Sequence, residues 1–411
     1  MTGLSCDVLV VGGGPAGASV SAALARAGVD VLVVDRARFP RPKPCAEYLS
    51  PEASRILASM GALDRVEQSG AAALDGIVVR APNGREIRGT FVAAHGFRGY
   101  RDRGLSVRRE VLDWILLDSA RAAGARVVER ARVTDLVRGP GGEVIGAECL
   151  RQDREGPTPI AARLVIGADG LRSVVARRLG LARTARWPRR MALVTHYRSV
   201  AGVGDRAEMH VERDGYVGIA DVGQGVTTVA LVVPAARVRG GGDMTAVLTA
   251  WIAGHAHLAP RFAAAERVSP VVATGPFAAR ARRAAVPGAI LVGDAADFFD
   301  PFTGEGIYAA LRGGELAAES AVAYLAANRE GERRRVCDAY EAARRTAFGG
   351  KWTVERIIGT VVAHPILINR AARGLSARPD LADLLVGVTG NFIPASTILT
   401  WRYLRSAFAM P

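Results

Sequence analysis

The sequence predicts an α/β fold, α+β overall. A parallel-sheet domain is interrupted by an antiparallel β insertion and followed by C-terminal helices. Three observations predict it. An apolar run at 7–11 enters a glycine-rich turn, a small-residue helix and a second apolar run closed by Asp35. Two more apolar runs, at 163–166 and 289–292, each end in a glycine and an acid far downstream. Between them lie β-branched, alternating stretches, and a helical pattern follows from 331.

Residues 7–11 (DVLVV) have the continuous β-branched character of a strand buried on both faces. Gly12-Gly13-Gly14-Pro15-Ala16-Gly17 follows, with the GxGxxG spacing. Gly12 allows the tight turn, Gly14 lets backbone approach a pyrophosphate, and Gly17 lets helix and strand pack closely. The helix start offers unpaired N–H groups and a positive dipole end to phosphate. Asp35, after the strand at 30–34, is placed to accept both ribose hydroxyls, and its charge disfavours a 2′-phosphate. This is a Rossmann-like dinucleotide unit. The motif alone does not separate FAD from NAD.

Residues 163–166 lead into Gly167-Ala168-Asp169-Gly170, with Ser173 and Arg177 beyond. Residues 289–292 lead into Gly293-Asp294-Ala295-Ala296, then Asp300-Pro301, Gly304-Glu305-Gly306 and an Ala-rich helix from about Ile307 to Ala327. Both acids sit at the carboxyl end of a strand, where open α/β sheets bind ligands. Capping a helix is the plainer role for either acid. Gly139-Pro140-Gly141-Gly142 and Pro82-Asn83-Gly84 read as hairpin turns. Gly349-Gly350-Lys351-Trp352 fails as a phosphate loop, because position 345 is Arg and Trp follows the lysine.

GxGxxG, GADGxxSxxxR and GDAAxxxxPxxGxG, in this order, resemble the superfamily of FAD-dependent aromatic hydroxylases (group A flavoprotein monooxygenases) and geranylgeranyl reductases. The resemblance covers about 5–330. It implies bound FAD, with NAD(P)H as a transient reductant. It implies Asp35 at the adenosine ribose, with Arg36 beside it in the cofactor set. It places Arg109 and Val133 against the cofactor, and Ala168, Asp169 and Gly170 near the pyrophosphate. Gly293 and Asp294 would hold the ribityl or phosphate part. The Gly304-Glu305-Gly306 turn would face the flavin ring, and Pro301 and Ile307 belong to the same cofactor set. Phe39 to Pro51 is similar to the FPRxKxCGxxLSP stretch of the reductase branch, with Ala46 in place of glycine. It adds Lys43, Pro44 and Cys45 to the cofactor set. Cys45 can tune the ring, donate a proton or simply pack. Glu47 can donate a proton or serve as a helix-start charge.

The cofactor motifs imply a discontinuous FAD domain at 1–75, 105–185 and 280–330. The pieces 76–104 and 186–279 read as strands of a β-sheet substrate domain. His196 and His210 lie on them, and Tyr216 joins them as a candidate substrate contact; a structural role is the commoner fate of a lone strand histidine. Residues 331–411 read as helical, broken at Pro365 and Pro394. Asn391 to Pro411 can dock on a membrane, cover a substrate tunnel or pack against the FAD domain, and packing is the favoured reading.

Two reactions share these motifs. The first is an NAD(P)H- and O2-using hydroxylation of an aromatic or polyketide-like molecule, free or on a carrier protein. The alternative is reduction of an isoprenoid alkene. The Lys43–Pro51 stretch favours the alternative. Against it, Gly215 to Ala220 lacks the Tyr-x-Trp-x-Phe-Pro-like element of prenyl reductases, and the Trp-x-Trp-x-Ile-Pro element of halogenases is missing too. Hydroxylation is therefore the expectation.

The 411 residues carry a net charge of +14, and all but Lys43 and Lys351 of the 54 basic residues are arginines. Such charge can serve nucleic acid, an anionic surface or an acidic partner. The arginines are spread over 36–41, 186–190, 280–283 and 333–335 among cofactor motifs, so nucleic-acid binding is not expected. The four cysteines lack metal or disulfide spacing, and His255 and His257 read as a loop feature. No metal is expected. No apolar run reaches spanning length and the first strand begins too early for a signal peptide, so a cytoplasmic protein is expected.

Overall fold

A computed structural model describes residues 4–45, 47–184, 187, 189–238 and 243–409. Ala46, Pro411 and the first arginine of the 186–190 cluster lie outside the described residues. The first sheet runs in the order Ala285–Val286, Ala289–Leu291, Pro157–Gly167, Leu4–Val11, Val31–Val34, Arg126–Val128. From Ala289–Leu291 onward the neighbours are parallel, with Val8 opposite both Leu164 and Val31. Val8, Leu9 and Val10 are fully buried, which is why the run carries no polar alternation. Gly139 to Gly142 turns the hairpin Ala131–Arg138/Val144–Arg151, which extends this sheet.

Helix Pro15–Arg26 begins with Pro15, whose fixed φ suits a first helical position. Its small residues let it pack closely on helix Gly306–Ala326. A Cβ at Gly314 would lie 2.6 Å from the Ser19 Cβ, and the Ser19 hydroxyl donates to the Leu311 carbonyl at 2.8 Å.

The second sheet runs Glu266–Arg267, Arg190–Arg198, Val226–Pro234, Gly215–Asp221, Arg206–Glu212, Gly76–Arg80, Glu86–Thr90. All its neighbours are antiparallel except Arg206–Glu212 and Gly76–Arg80, so the early insertion joins the later one in a parallel pair. Pro82-Asn83-Gly84 turns between the last two strands. The alternation splits the side chains between two cores. Ala192, Val194, Tyr216 and Val232 face one way. Leu193, Val217, Leu231 and Val233 face the other, against Leu248, Trp251 and Ile252. Those last residues belong to helix Met244–Ala253, in a segment read above as strands. Asp243 caps this helix by accepting the Thr245 N–H at 2.8 Å.

Among the described residues, four α-helices follow: Glu330–Ala363, Pro365–Ser376, Pro379–Thr389 and Trp401–Phe408. Gly349 and Gly350 lie inside the first of these. Of the last segment only its start packs as expected, with Phe392 against Tyr48 and Leu74 of the piece assigned to the FAD domain. The last helix lies on Pro365–Ser376, where a Cβ at Gly374 would meet the Ala407 carbonyl oxygen at 2.1 Å. Helix Pro379–Thr389 lies on the edge strand Glu86–Thr90, where Asp383 accepts the Thr90 N–H at 2.8 Å. Burial decides the placement: these helices cover the apolar face of the second sheet that Ala192, Val194 and Val232 present. Among the described residues, no helix is long and apolar enough to cross a membrane.

Candidate functional site

A cavity of about 840 Å³ lies where the carboxyl ends of the parallel strands meet the second sheet and the C-terminal helices. Of the residues singled out as cofactor contacts, Gly12, Gly14, Asp35, Arg36, Lys43, Pro44, Cys45, Arg109 and Val133 line it. So do Ala168, Asp169, Gly170, Asp294, Pro301, Gly304, Gly306 and Ile307. Pro15, Ala16 and Gly17 form the helix turn behind that wall. Gly293 and Glu305 border a smaller adjoining cavity.

Glu305 therefore departs from the expectation. Its side chain turns to Lys351, with Nζ 3.5 Å from Oε1. Burial raises its pKa and Lys351 opposes the rise.

The glycine turn is held by close backbone contact. A Cβ at Gly12 would lie 2.5 Å from the Ala168 carbonyl oxygen, and Gly12 sits at φ +104. Helix Pro15–Arg26 has neither a side-chain cap nor an acid in its first turn. Its N–H groups are thus left for a ligand. Asp35 accepts the Gly13 N–H and the Ala37 N–H, both at 2.8 Å, which fixes its carboxylate at the cavity edge.

Asp169 does two things. One oxygen caps the next helix by accepting the Val174 N–H at 2.6 Å. The other is buried without a protein partner. Desolvation raises its pKa.

Arg109 opens helix Arg109–Ala122 and is buried. It donates from Nε and Nη2 to the two oxygens of Asp113, at 2.7 and 2.8 Å. Burial depresses the Lys43 pKa, and Arg109 adds to this. Asp294 is pushed up by desolvation and held back by Lys43 and Arg109. The wall thus gathers cations and carboxylates around one space.

The three candidate substrate contacts separate. Tyr216 lines the cavity, but its hydroxyl donates to Asp300 at 2.5 Å. Arg190 and the Phe302 N–H bind the same carboxylate at 3.2 and 3.1 Å. Burial and Asp300 raise the Tyr216 pKa well above its ordinary value. Tyr216 therefore anchors the turn at Pro301 instead of presenting a free hydroxyl.

His210 is a clearer correction. Met209 and Val211 take the inner face of its strand, so the two-residue period sends His210 outward. There it bonds Glu208 at 2.7 Å and stacks on His257 at 5.2 Å. Burial pushes the His257 pKa down to about 4. His196 stands behind the cavity wall, with Nε2 2.8 Å from Oε2 of Glu47. Glu47 itself lines the cavity and accepts the Arg109 N–H at 2.8 Å.

Three features of the site were not read from the sequence. Tyr48 is buried on the wall with its hydroxyl unpartnered by protein. Asp300 organises Tyr216 and Arg190. Val354, Ile358, Val361, Ile368, Leu375, Leu404 and Phe408 supply an apolar wall from the C-terminal helices. The helical pattern of 331–411 was legible, but not which space its apolar faces enclose.

Residues 5–349 match the family model described as FAD binding domain. The chain is 30% identical over 350 residues to digeranylgeranylglycerophospholipid reductase 1 of Methanothermobacter thermautotrophicus, covering 80% of this chain and 82% of that one. Seven further relatives, 26 to 32% identical, carry the same reductase name. Among solved structures, the flavin-dependent brominase Bmp2, as a triple mutant, superposes with a TM-score of 0.81 at 20% identity, covering 96% of this chain and 97% of that one. A geranylgeranyl bacteriochlorophyll reductase-like protein of Thermoplasma acidophilum superposes with a TM-score of 0.72 at 23% identity, covering 98% and 96%. At those identities the superpositions speak for the fold. The chain belongs to the FAD binding domain family of flavin-dependent oxidoreductases, with sequence kinship to geranylgeranyl-reductase-like proteins.

Proposed function

We propose that this protein is an FAD-dependent reductase that saturates a carbon–carbon double bond in an isoprenoid-type chain, with reduced nicotinamide as its transient electron source. The observation that carries the reading is the apolar wall. Aliphatic side chains of the second sheet (Val79, Val194, Val232) face those of the C-terminal helices (Val361, Leu375, Leu404) across one cavity. A hydrocarbon chain is the ligand for which such a wall gains most, at about 25 cal/mol per Å² of apolar surface removed from water. The reductase names of the curated relatives support it. This reverses the preference for hydroxylation. The missing Tyr-x-Trp-x-Phe-Pro-like element had weighed against a prenyl substrate, but here helices outside that stretch supply the apolar surface.

The residues present fit FAD. The uncapped helix start, the close Gly12–Ala168 contact and the unpartnered buried oxygen of Asp169 are places for phosphates and hydroxyls. In this reading Gly12 to Gly17 cradle the pyrophosphate and Asp35 accepts the adenosine ribose. Asp294, Lys43 and Arg109 hold the middle of the cofactor, and the Gly304–Gly306 turn faces its ring. Bound FAD supplies hydride transfer. The chain binds and orients the alkene, excludes water and provides the proton, for which Cys45 and Glu47 face the cavity.

The test is anaerobic turnover with NADH or NADPH and a geranylgeranyl lipid. A product heavier by two hydrogens is expected. A product that gains oxygen, and forms only in air, overturns the reading. Asp294→Ala removes a charge-assisted acceptor worth about 1.5–3 kcal/mol. FAD affinity should fall at least tenfold, about 1.4 kcal/mol, read from the flavin-to-protein absorbance ratio after gel filtration. An unchanged ratio removes Asp294 from the site.

A further inference from the structure

Glu47 is the inner end of a chain of hydrogen bonds that leads away from the cavity. Its side chain is 3% exposed, and its Oε2 lies 2.8 Å from His196 Nε2. His196 is 19% exposed, and its Nδ1 lies 3.0 Å from the Ser269 hydroxyl. Ser269 is half-buried, between the exposed Val268 and Pro270. Its hydroxyl accepts the His196 backbone N–H at 2.9 Å and lies 3.2 Å from the Thr195 hydroxyl. Thr195 in turn donates to the Ser269 carbonyl at 2.8 Å.

A purely structural link would need only one arrangement of hydrogens. This one closes in two. With a neutral ring, Nε2–H donates to Glu47 and Nδ1 accepts from Ser269. With a charged ring, Nδ1–H donates to Ser269, whose own hydrogen turns to Thr195. Neither state strands a polar group, so a proton can move without the cost of an orphaned partner. The exposure gradient gives the chain an outer and an inner end.

We propose that Ser269, His196 and Glu47 form a proton relay from the protein surface to the cavity. A proton from water reaches Nδ1 through Ser269. The Nε2 proton passes to the Glu47 carboxylate. The resulting acid releases it into the cavity and returns to the carboxylate, and a turn of the imidazole that presents the Nδ1–H to Glu47 readies the next transfer without returning a proton to the surface. One proton enters and one leaves, and no electrons move. The inference rests on the reductase reading only for the use of that proton, since saturating an alkene consumes one proton with each hydride.

The test uses the FAD-loaded enzyme without substrate. Bound flavin is reduced by a flash with a deazaflavin photoreductant, anaerobically and in weak buffer, and proton uptake from solvent is followed with an indicator dye. His196→Gln keeps a donor to Glu47 but cannot accept and pass on a proton. It should keep its FAD and its Tm, yet take up protons at least tenfold more slowly. Ser269→Ala should slow uptake as well, and added imidazole should restore it in His196→Ala. Wild-type uptake in His196→Gln overturns the relay and leaves the histidine a structural link. Slow uptake in an enzyme that never reduces an alkene upholds the relay and sinks the reductase reading instead.

Discussion

Asp113→Ala is expected to cost about 3–5 kcal/mol of stability and to strip the protein of FAD, the larger of the two losses argued here. Asp113 is fully buried on helix Arg109–Ala122, one turn past Arg109. Its two oxygens accept from Nε and Nη2 of the Arg109 guanidinium, which is itself buried. One of those oxygens also lies 3.4 Å from Arg41 Nη1. Removing the carboxylate leaves two guanidinium groups and Lys43 around one low-dielectric space with fewer counter-charges. The penalty is that of a stranded buried charge, which exceeds what the intact pair contributes. Asp113→Asn keeps one acceptor and should lose less. The double variant Arg109→Met with Asp113→Leu removes both charges and should regain most of the stability. It should not regain FAD affinity, because the cavity wall has lost one of the cations that face the cofactor. Urea denaturation gives the stability change, and flavin fluorescence titration gives the affinity. A loss below about 1 kcal/mol in Asp113→Ala would show that water or the neighbouring arginines already satisfy the site.

What the sequence made legible were features fixed by local backbone demands. The turn at Gly12 needs a residue tolerant of φ +104 with no side chain, so it leaves a glycine behind. Asp35, Asp169 and Asp294 were readable because each follows an apolar run that can only be a buried strand. The outward turn of His210 was also within reach. It sits between Met209 and Val211, so alternation alone separates it from His196, which shares a face with Ala192 and Val194. Helix Met244–Ala253 was harder. It is apolar on nearly every side and lies between strands, so neither period stood out, and only Asp243 signalled a start. The cavity wall built from 354–408 had no local signature, because its faces acquire meaning only when distant segments fold together. The Glu47–His196–Ser269 chain has the same origin: three residues widely spaced in sequence meet only in the folded chain.

Gly17→Ala should weaken FAD binding at least a hundredfold, about 2.7 kcal/mol, and destabilise the fold by about 1–3 kcal/mol. The added Cβ would lie 1.8 Å from the Gly12 carbonyl oxygen, 3.0 Å from its carbon and 3.3 Å from Val10 Cγ1. Two of these contacts are backbone, so no rotamer change relieves them, and the helix must move off the first strand by more than an ångström. It has little room to do so. On its far side Ser19 lies against Gly314, where a single methyl would already clash at 2.6 Å. A shift therefore opens one interface or crushes the other, and it carries the uncapped N–H groups away from the glycine turn they face with. Gly28→Ala is the control. Gly28 has φ +76 and nothing within 4 Å of an added Cβ, so only the backbone strain of about 1–2 kcal/mol applies. That variant should lose stability but stay yellow. Apo-protein titrated with FAD measures both, and wild-type affinity in Gly17→Ala would mean that the cofactor does not depend on this helix standing so close to the strand.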